Sequence, residues 1–251
     1  MSERGRVRAL RVASVGVLLA AWEAAVRVGG VDPLFVPAPT AVARALGEVG
    51  RPALAALGDT LFKTAVAYAI AAGLGIGAGV VIGAVPRLHR ALNPFVIALY
   101  GIPKILILPW LVLWLGFGAV PAVAYGALHG VFPILVLVMG AVRDVDPHLL
   151  TVARAYGARP WQVHAKVILP AIVPSVVASL RLGIVFCLLG VLVVEMFAGI
   201  RGMGHVLASL ANGFRAPELF AATALVSAAS IAIVLALDRV QERLSRWRGA
   251  P

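Results

Sequence analysis

Long apolar stretches alternate with short charged segments along the whole chain. No Asp, Glu, Lys or Arg lies between Lys63 and Arg87, and Lys104 is the only formal charge between Arg90 and Arg143. About 20 apolar residues cross a bilayer as a helix, so the first stretch can form one span and the second can form two. The pattern therefore predicts an all-α, polytopic membrane protein.

The same criterion places six transmembrane helices along the sequence. They are predicted at about residues 12–28 and 63–87, as a pair within 91–142 that turns near Gly116, Gly118 and Pro121, and at about 174–199 and 219–237. A Pro-rich outer segment with a short interfacial helix near residues 40–49 is expected after the first span. Pro94, Pro103 and Pro109 make the third span irregular. Membrane helices tolerate such breaks where other protein or a cavity satisfies the freed carbonyls, so we expect this span to line a pathway.

The second predicted span carries a series of glycines. They are Gly73, Gly75, Gly77, Gly79 and Gly83. Small residues let helix backbones approach each other closely in lipid, where apolar surface alone gives helices little reason to associate. This span is therefore predicted to be an inner helix of the bundle.

The basic residues indicate the orientation, because Lys and Arg accumulate in cytoplasmic segments. With the N-terminus inside, those segments contain Arg4, Arg6, Arg8, Arg11, Arg87, Arg90, Arg143, Arg154, Arg159, Lys166, Arg239, Arg243, Arg246 and Arg248. The outer segments contain only Arg27, Arg44, Arg51, Lys63, Arg201 and Arg215. Both termini are therefore predicted to be cytoplasmic, together with the polar segment 143–170.

This polar segment has clear signals for two short helices. Asp146 can accept hydrogen bonds from free amides at a helix start, and Gly157 can adopt the left-handed conformation at a helix end. They predict a helix over about residues 147–156. Pro160 begins a second helix, which Pro170 is expected to end. The segment is thus predicted to be two short helices bent around Gly157.

Composition excludes several other classes of protein. The chain of 251 residues is 61% hydrophobic and 13% charged, and its net charge of +11 is not gathered with a stacking surface that would bind nucleic acid. Cys187 is the single cysteine, and neither a GxxxxGK[ST] nucleotide-binding motif nor a nucleophile with a base is visible. One transmembrane domain is expected over 1–251, with an N-terminal span and outer segment over 1–60, core spans over 61–240 and a cytoplasmic tail over 241–251.

The sequence ARAYGARPWQVHAKVILP, Ala153 to Pro170, resembles the cytoplasmic EAA loop of ABC-importer permeases. Thr151 stands where that family usually has Glu. The likeness extends to VPAPTAV, to LNPFVIALYGIPKILILPWLVLWLGFG from Leu92, to VDPHLLTVARAYGA, and to VVEMFAGIRGMGHVL from Val193. Together these resemble the subfamily that imports aliphatic sulfonates, taurine, nitrate, bicarbonate or thiamine precursors.

The resemblance implies the permease subunit of a type I ABC importer in a bacterial inner membrane. Two permeases, expected to be identical, would form the channel above two ATP-binding subunits, and a periplasmic or lipid-anchored solute-binding protein would deliver the solute. ATP and magnesium would bind the partner subunits, and no cofactor is expected on this chain.

The resemblance also implies which residues couple this chain to the ATPase. They are Leu149, Thr151, Ala153, Arg154, Tyr156, Gly157, Ala158, Trp161, Leu169 and Pro170. Because Thr151 replaces the usual acid, docking is expected to depend on shape and apolar contact more than on an acidic pairing.

Lys104, His129 and Glu195 are candidates for the translocation pathway. Charges inside a membrane are costly and mark functional positions, so Lys104 either binds the carbonyls freed at a broken span or attracts an anionic solute. His129 is predicted to be a hydrogen-bonded packing residue more readily than a proton relay. Glu195 and Arg181 are predicted to be gate or packing ion partners more readily than substrate ligands, and the resemblance makes Glu195 a candidate for the pathway mouth, because the family carries an acid at this position. A secondary transporter or channel without an ATPase partner is the alternative function.

Overall fold

The computed structural model describes residues 3–245, and within this range every regular element is helical. The elements are α1 (Glu3–Arg27), α2 (Pro39–Ala84), α3 (Pro86–Gly101), a 3₁₀ turn (Lys104–Ile107), α4 (Leu108–Leu115), α5 (Ala119–Arg143), α6 (Pro147–Ala155), α7 (Pro160–Val163), a π-helical turn (His164–Ile168), α8 (Leu169–Ala198), α9 (Met203–Asn212) and α10 (Ala216–Ser245). The predicted all-α architecture is confirmed.

The transmembrane count agrees with the sequence prediction. Among the described residues, 5 helices are long and apolar enough to cross a membrane. A sixth span arises if α3 and the segment 104–115 are counted together, although they bend by 83° at the intervening break. This bend confirms the predicted irregularity of the third span, because Pro103 lies at the break and cannot donate a backbone hydrogen bond.

Helices α2, α5 and α8 form the centre of the bundle. An ideal Cβ added to Gly79 would lie 2.8 Å from the Cβ of Val138 in α5, so only glycine allows these two helices to approach as they do. Gly75 and Gly83 make equally close approaches to α5, whereas a Cβ added to Gly73 or Gly77 would have no neighbour within 4 Å. The predicted inner position of this span is confirmed, although only alternate glycines create the contact.

The short interfacial helix predicted near residues 40–49 is wrong, because α2 continues for 46 residues through Pro52. Proline costs a helix one backbone donor, and here tertiary packing compensates. Ala53 and Leu57, one and five residues later, are buried against Met203 and Ala222 of α9 and α10. Burial of this face stabilises a helix that the proline alone would have interrupted.

Two predictions for the second half of the chain also need correction. Pro170 does not end a helix: it lies in the first turn of α8, directly after a π-helical turn in which the backbone hydrogen-bond spacing changes. The π-helical turn joins α7 to α8, so residues 160–198 run as one helical segment. The loop predicted after the fifth span contains α9. The predicted tail 241–251 is helical as far as Ser245, and residues 246–251 lie outside the described portion of the chain.

Candidate functional site

The segment 143–170 is a compact, well-capped element. The Asp146 carboxylate accepts a hydrogen bond of 2.8 Å from the amide of His148 at the start of α6. Gly157 ends the helix at φ +77, a conformation that favours glycine over residues with a Cβ. The amides of Gly157 and Ala158 donate to the carbonyls of Arg154 and Ala153 at 2.9 and 3.0 Å. These paired bonds form a Schellman motif, so the predicted bend at Gly157 is present.

One side of this element packs on the protein and the other carries exposed apolar groups. Leu150, Ala153 and Ala158 contact the main core cluster, whereas Tyr156 is 89% exposed and Trp161 is 60% exposed. Leu149 and Val152 are also exposed. Soluble surfaces rarely gather large apolar groups unless another molecule covers them.

The remaining residues predicted for coupling take several positions. Arg154 is exposed on α6, and the Thr151 hydroxyl, also exposed, donates to the Pro147 carbonyl at 3.0 Å. Leu169 and Pro170 lie in the first turn of α8 instead of on the bend. The second short helix, which carries Trp161, is therefore continuous with a candidate membrane span.

A buried ion cluster, formed by Asp59, Lys63 and Glu195, lies where α2 meets the end of α8. The Lys63 ammonium donates to Asp59 at 2.6 Å and to Glu195 at 2.9 Å. The Glu195 side chain has no exposed area, that of Lys63 is 6% exposed, and that of Asp59 is 35% exposed. The cluster therefore holds the Glu195 carboxylate and the Lys63 ammonium almost out of contact with solvent, with Asp59 at its exposed edge.

Backbone and hydroxyl groups complete this cluster and attach α9 to it. Glu195 also accepts from the Thr60 hydroxyl at 2.7 Å and from the Gly204 amide at 3.0 Å. Thr60 accepts in turn from the Met203 amide at 2.7 Å, and Lys63 donates to the Arg201 carbonyl at 3.2 Å. Because the first amides of α9 have no partner within their own helix, Glu195 and Thr60 act as its N-terminal caps from other helices.

Sequence reasoning missed Lys63 as a site residue, although it lies buried inside α2. The available signal was the i, i+4 spacing of Asp59 and Lys63 just before a long stretch without charged residues. Glu195 remains a candidate for the pathway mouth. Its contacts are those of the buried ion cluster. Arg181, at the opposite end of α8, pairs with Asp238 of α10 at 2.7 Å.

Lys104 and His129 lie in a second cluster, rich in aromatic rings. The Lys104 ammonium donates to the Tyr100 carbonyl at 3.1 Å and lies 5.0 and 5.1 Å from the ring centres of Tyr100 and Phe132. The His129 ring lies 5.6 Å from that of Phe186. The carbonyl contact matches the first of the two roles predicted for Lys104. The hydrogen bond predicted for His129 is not found at its Nδ1 atom among the described residues.

Comparison with known proteins agrees with this architecture. Residues 34–249 match the family model described as binding-protein-dependent transport system inner membrane component. The chain is 27% identical to a putative aliphatic sulfonates transport permease protein, SsuC of Bacillus subtilis, over 93% of this chain and 86% of that protein. It is 26% identical to the taurine transport system permease protein TauC of Escherichia coli, over 96% of this chain and 90% of that protein.

A solved structure shares the fold. One chain of the MetNI methionine ABC transporter, in an inward-facing conformation, superposes with a TM-score of 0.68 at 22% identity. The superposition covers 76% of this chain and 95% of that one.

A helical bundle whose described residues contain five, or up to six, candidate spans defines a multi-pass membrane protein. The family match covers most of the sequence, and the chain belongs to the inner membrane components of binding-protein-dependent transport systems. It is thus the permease of an ABC importer for small solutes, and ATP is bound and hydrolysed by separate subunits of the complex. The alternative of a transporter without an ATPase partner does not fit this family.

Proposed function

We propose that this chain pairs with a second copy of itself to form the pathway for a small solute of the sulfonate, taurine, nitrate, bicarbonate or thiamine-precursor class. A periplasmic or lipid-anchored binding protein delivers the solute on the outer side. Two ATPase subunits lie beneath the dimer, and the segment 143–170 docks into them. Both termini of the permease are cytoplasmic.

The observation that carries this proposal is the exposed apolar face of the segment 143–170. Tyr156 and Trp161 are large, amphipathic groups of the kind that supply most of the energy of protein interfaces. Ala155 and Gly157, on either side of Tyr156, keep the element thin enough to enter a groove. Arg154 and the other basic groups of the segment are exposed at its rim.

The connection to α8 supports a mechanical role for this segment. The π-helical turn His164–Ile168 joins α7 to α8 without a loop, so a displacement of the bend is carried into a helix at the centre of the bundle. Val163 and Ile168 are buried beside it, and packed elements move as units instead of deforming gradually. Closure of the ATPase subunits can therefore change the position of α8.

The named substrates of the relatives support the solute class. The two relatives described above are named for aliphatic sulfonates and for taurine. Both solutes carry a sulfonate group, which is small, fully ionised and tetrahedral. Lys104, a cation in the transmembrane region without a carboxylate partner among the described residues, fits the transport of such an anion.

Co-purification with the ATPase subunit tests the proposal. We expect an affinity-tagged permease to retain the ATPase, and we expect Gly157→Trp or deletion of residues 153–161 to abolish retention. Tyr156→Ala with Trp161→Ala should weaken it strongly, whereas Phe117→Ala, which removes another aromatic group that is 72% exposed, should not. Retention of the ATPase by the deletion variant would contradict the docking role.

A further inference from the structure

Two lysines lie within apolar helical segments of the chain, and they differ in whether a carboxylate neutralises them. Lys63 is neutralised by Asp59 and Glu195 at 2.6 and 2.9 Å. Among the side chains that the structure describes, Lys104 forms no ion pair with a carboxylate. A cation at this depth costs at least about 2.5 kcal/mol when it is unpaired, so the missing counter-charge at Lys104 needs an explanation.

The contacts of Lys104 leave some of its ammonium donors unused. An ammonium has three donors, and with the described residues Lys104 makes one hydrogen bond, to the Tyr100 carbonyl. The rings of Tyr100 and Phe132 attract a cation but carry no net charge. Lys104 is only half-buried and follows the break at Pro103, so its remaining donors can reach a ligand that enters from the surface of the chain.

His129 presents a second unused polar group beside this lysine. Its Nδ1 atom is buried and has no hydrogen-bond partner in the described part of the chain. Phe132, whose ring contacts the Lys104 ammonium, follows His129 by three residues in α5, and side chains at this spacing share a helix face. The His129 ring stacks on Phe186 at 5.6 Å and lies 5.4 Å from the tilted ring of Tyr125.

We propose that Lys104 and His129 form an anion-binding position in the translocation pathway, where an oxyanion such as a sulfonate or carboxylate supplies the counter-charge that the protein lacks. The ammonium donates to the anion, and a neutral imidazole donates through one ring N–H. The aromatic rings pack against the carbon skeleton of the solute. This inference rests on the proposed transport function and adds the charge of the transported solute.

A pair of thiol reagents of opposite charge tests the site without requiring transport. In a Cys187→Ala background, His129→Cys introduces one cysteine beside Lys104. The assembled complex is treated with methanethiosulfonates that carry either an ethylsulfonate or an ethyltrimethylammonium group. We expect the sulfonate reagent to react faster, and we expect Lys104→Met to reduce the ratio of the two rates roughly tenfold, as expected for a charge a few ångströms from the reacting group.

Two control variants keep the result specific. Lys104→Arg preserves the charge and should preserve the ratio, whereas Lys166→Met makes the same chemical change on the exposed segment 143–170 and should leave the ratio unaltered. A ratio that is the same with Lys104 and with Lys104→Met overturns the anion site. So does a cysteine at position 129 that reacts with neither reagent, because the position would then be closed to solutes.

The anion site and the transport function can fail separately. If the chain shows no preference for the sulfonate reagent but still retains its ATPase, the anion site is contradicted and the proposed function is not. A preserved charge preference in a chain that binds no ATPase removes the proposed function and leaves an anion site. Amounts of purified complex, compared among the Lys104 variants, identify any that fail to fold.

Discussion

Replacing Lys63 by methionine should be among the most destabilising single changes in the described portion of this chain. Methionine retains much of the apolar volume of lysine but removes the ammonium that lies 2.9 Å from Glu195 and 2.6 Å from Asp59. The Glu195 side chain has no exposed area, so its charge cannot regain solvent. Removal of one partner from a buried ion pair typically costs about 3–5 kcal/mol.

The structure predicts an order among the variants of this buried ion cluster. Glu195→Gln should cost less than Lys63→Met, because Lys63 keeps Asp59 and the loss is confined to hydrogen bonds of a charged acceptor, about 1.5–3 kcal/mol. The double variant Lys63→Met with Glu195→Gln should cost less than the sum of the single changes. Residues in direct contact usually show such coupling.

The chain supplies its own probe and its own control for this measurement. Cys187 is the single cysteine and has no exposed area, so a thiol-reactive dye reports unfolding of the detergent-solubilised complex as the temperature rises. Arg215→Gln breaks an ion pair with Glu218 in which the arginine side chain is 56% exposed, and such pairs contribute only about 0–1 kcal/mol. A Lys63→Met complex as stable as the Arg215→Gln complex would refute the reasoning.

Three further predictions concern packing and helix ends. Gly79→Leu should force α2 away from α5, since even a Cβ there would lie 2.8 Å from Val138. The expected loss of stability, about 1–3 kcal/mol or more, appears as a lower thermal midpoint. Gly77→Leu is the control and should match the wild type, because a Cβ at that position has no neighbouring atom within 4 Å. Asp146→Ala removes the helix cap and should destabilise the α6 region by about 1 kcal/mol, seen as faster amide exchange in that helix and not in α9. Gly157→Val imposes a side chain at φ +77, costs about 1–2 kcal/mol and should reduce ATPase retention; unchanged retention would contradict the role of the bend.

The short helices around Gly157 could be predicted because their signals are local. Asp146, Gly157 and Pro160 each determine a helix end through their own backbone or side-chain chemistry, and the structure places the ends where those residues occur. The apolar stretches likewise determine the spans through length alone. Such features need no knowledge of what packs against them.

The features that escaped prediction depend on partners that are distant in sequence. Lys63 and Glu195 are in contact although they are 132 residues apart. The sequence around either residue does not indicate the other as its partner. Helix α2 passes through Pro52 because its next residue, Ala53, is buried against α9 and α10. Pro170 is compatible with both a helix end and a helix start, and only the continuity of α7 with α8 decides between them.

The substrate class and the partners were accessible only through resemblance. Neither the spacing of Lys104 and His129 nor the exposed face of α6 identifies a solute or an ATPase by physical chemistry alone. The structure adds that Lys104 lacks a carboxylate partner among the described residues and that Tyr156 is almost fully exposed. These two facts identify individual residues that can be substituted and tested.

Solute uptake into proteoliposomes tests the central claim most directly. The permease is reconstituted with its ATPase and its solute-binding protein, and uptake of the radiolabelled solute that the binding protein carries is measured with and without ATP on the ATPase side. We predict uptake that requires ATP and the ATPase and that is abolished by Gly157→Trp. Equally fast uptake by this chain alone, without ATP, would contradict the account.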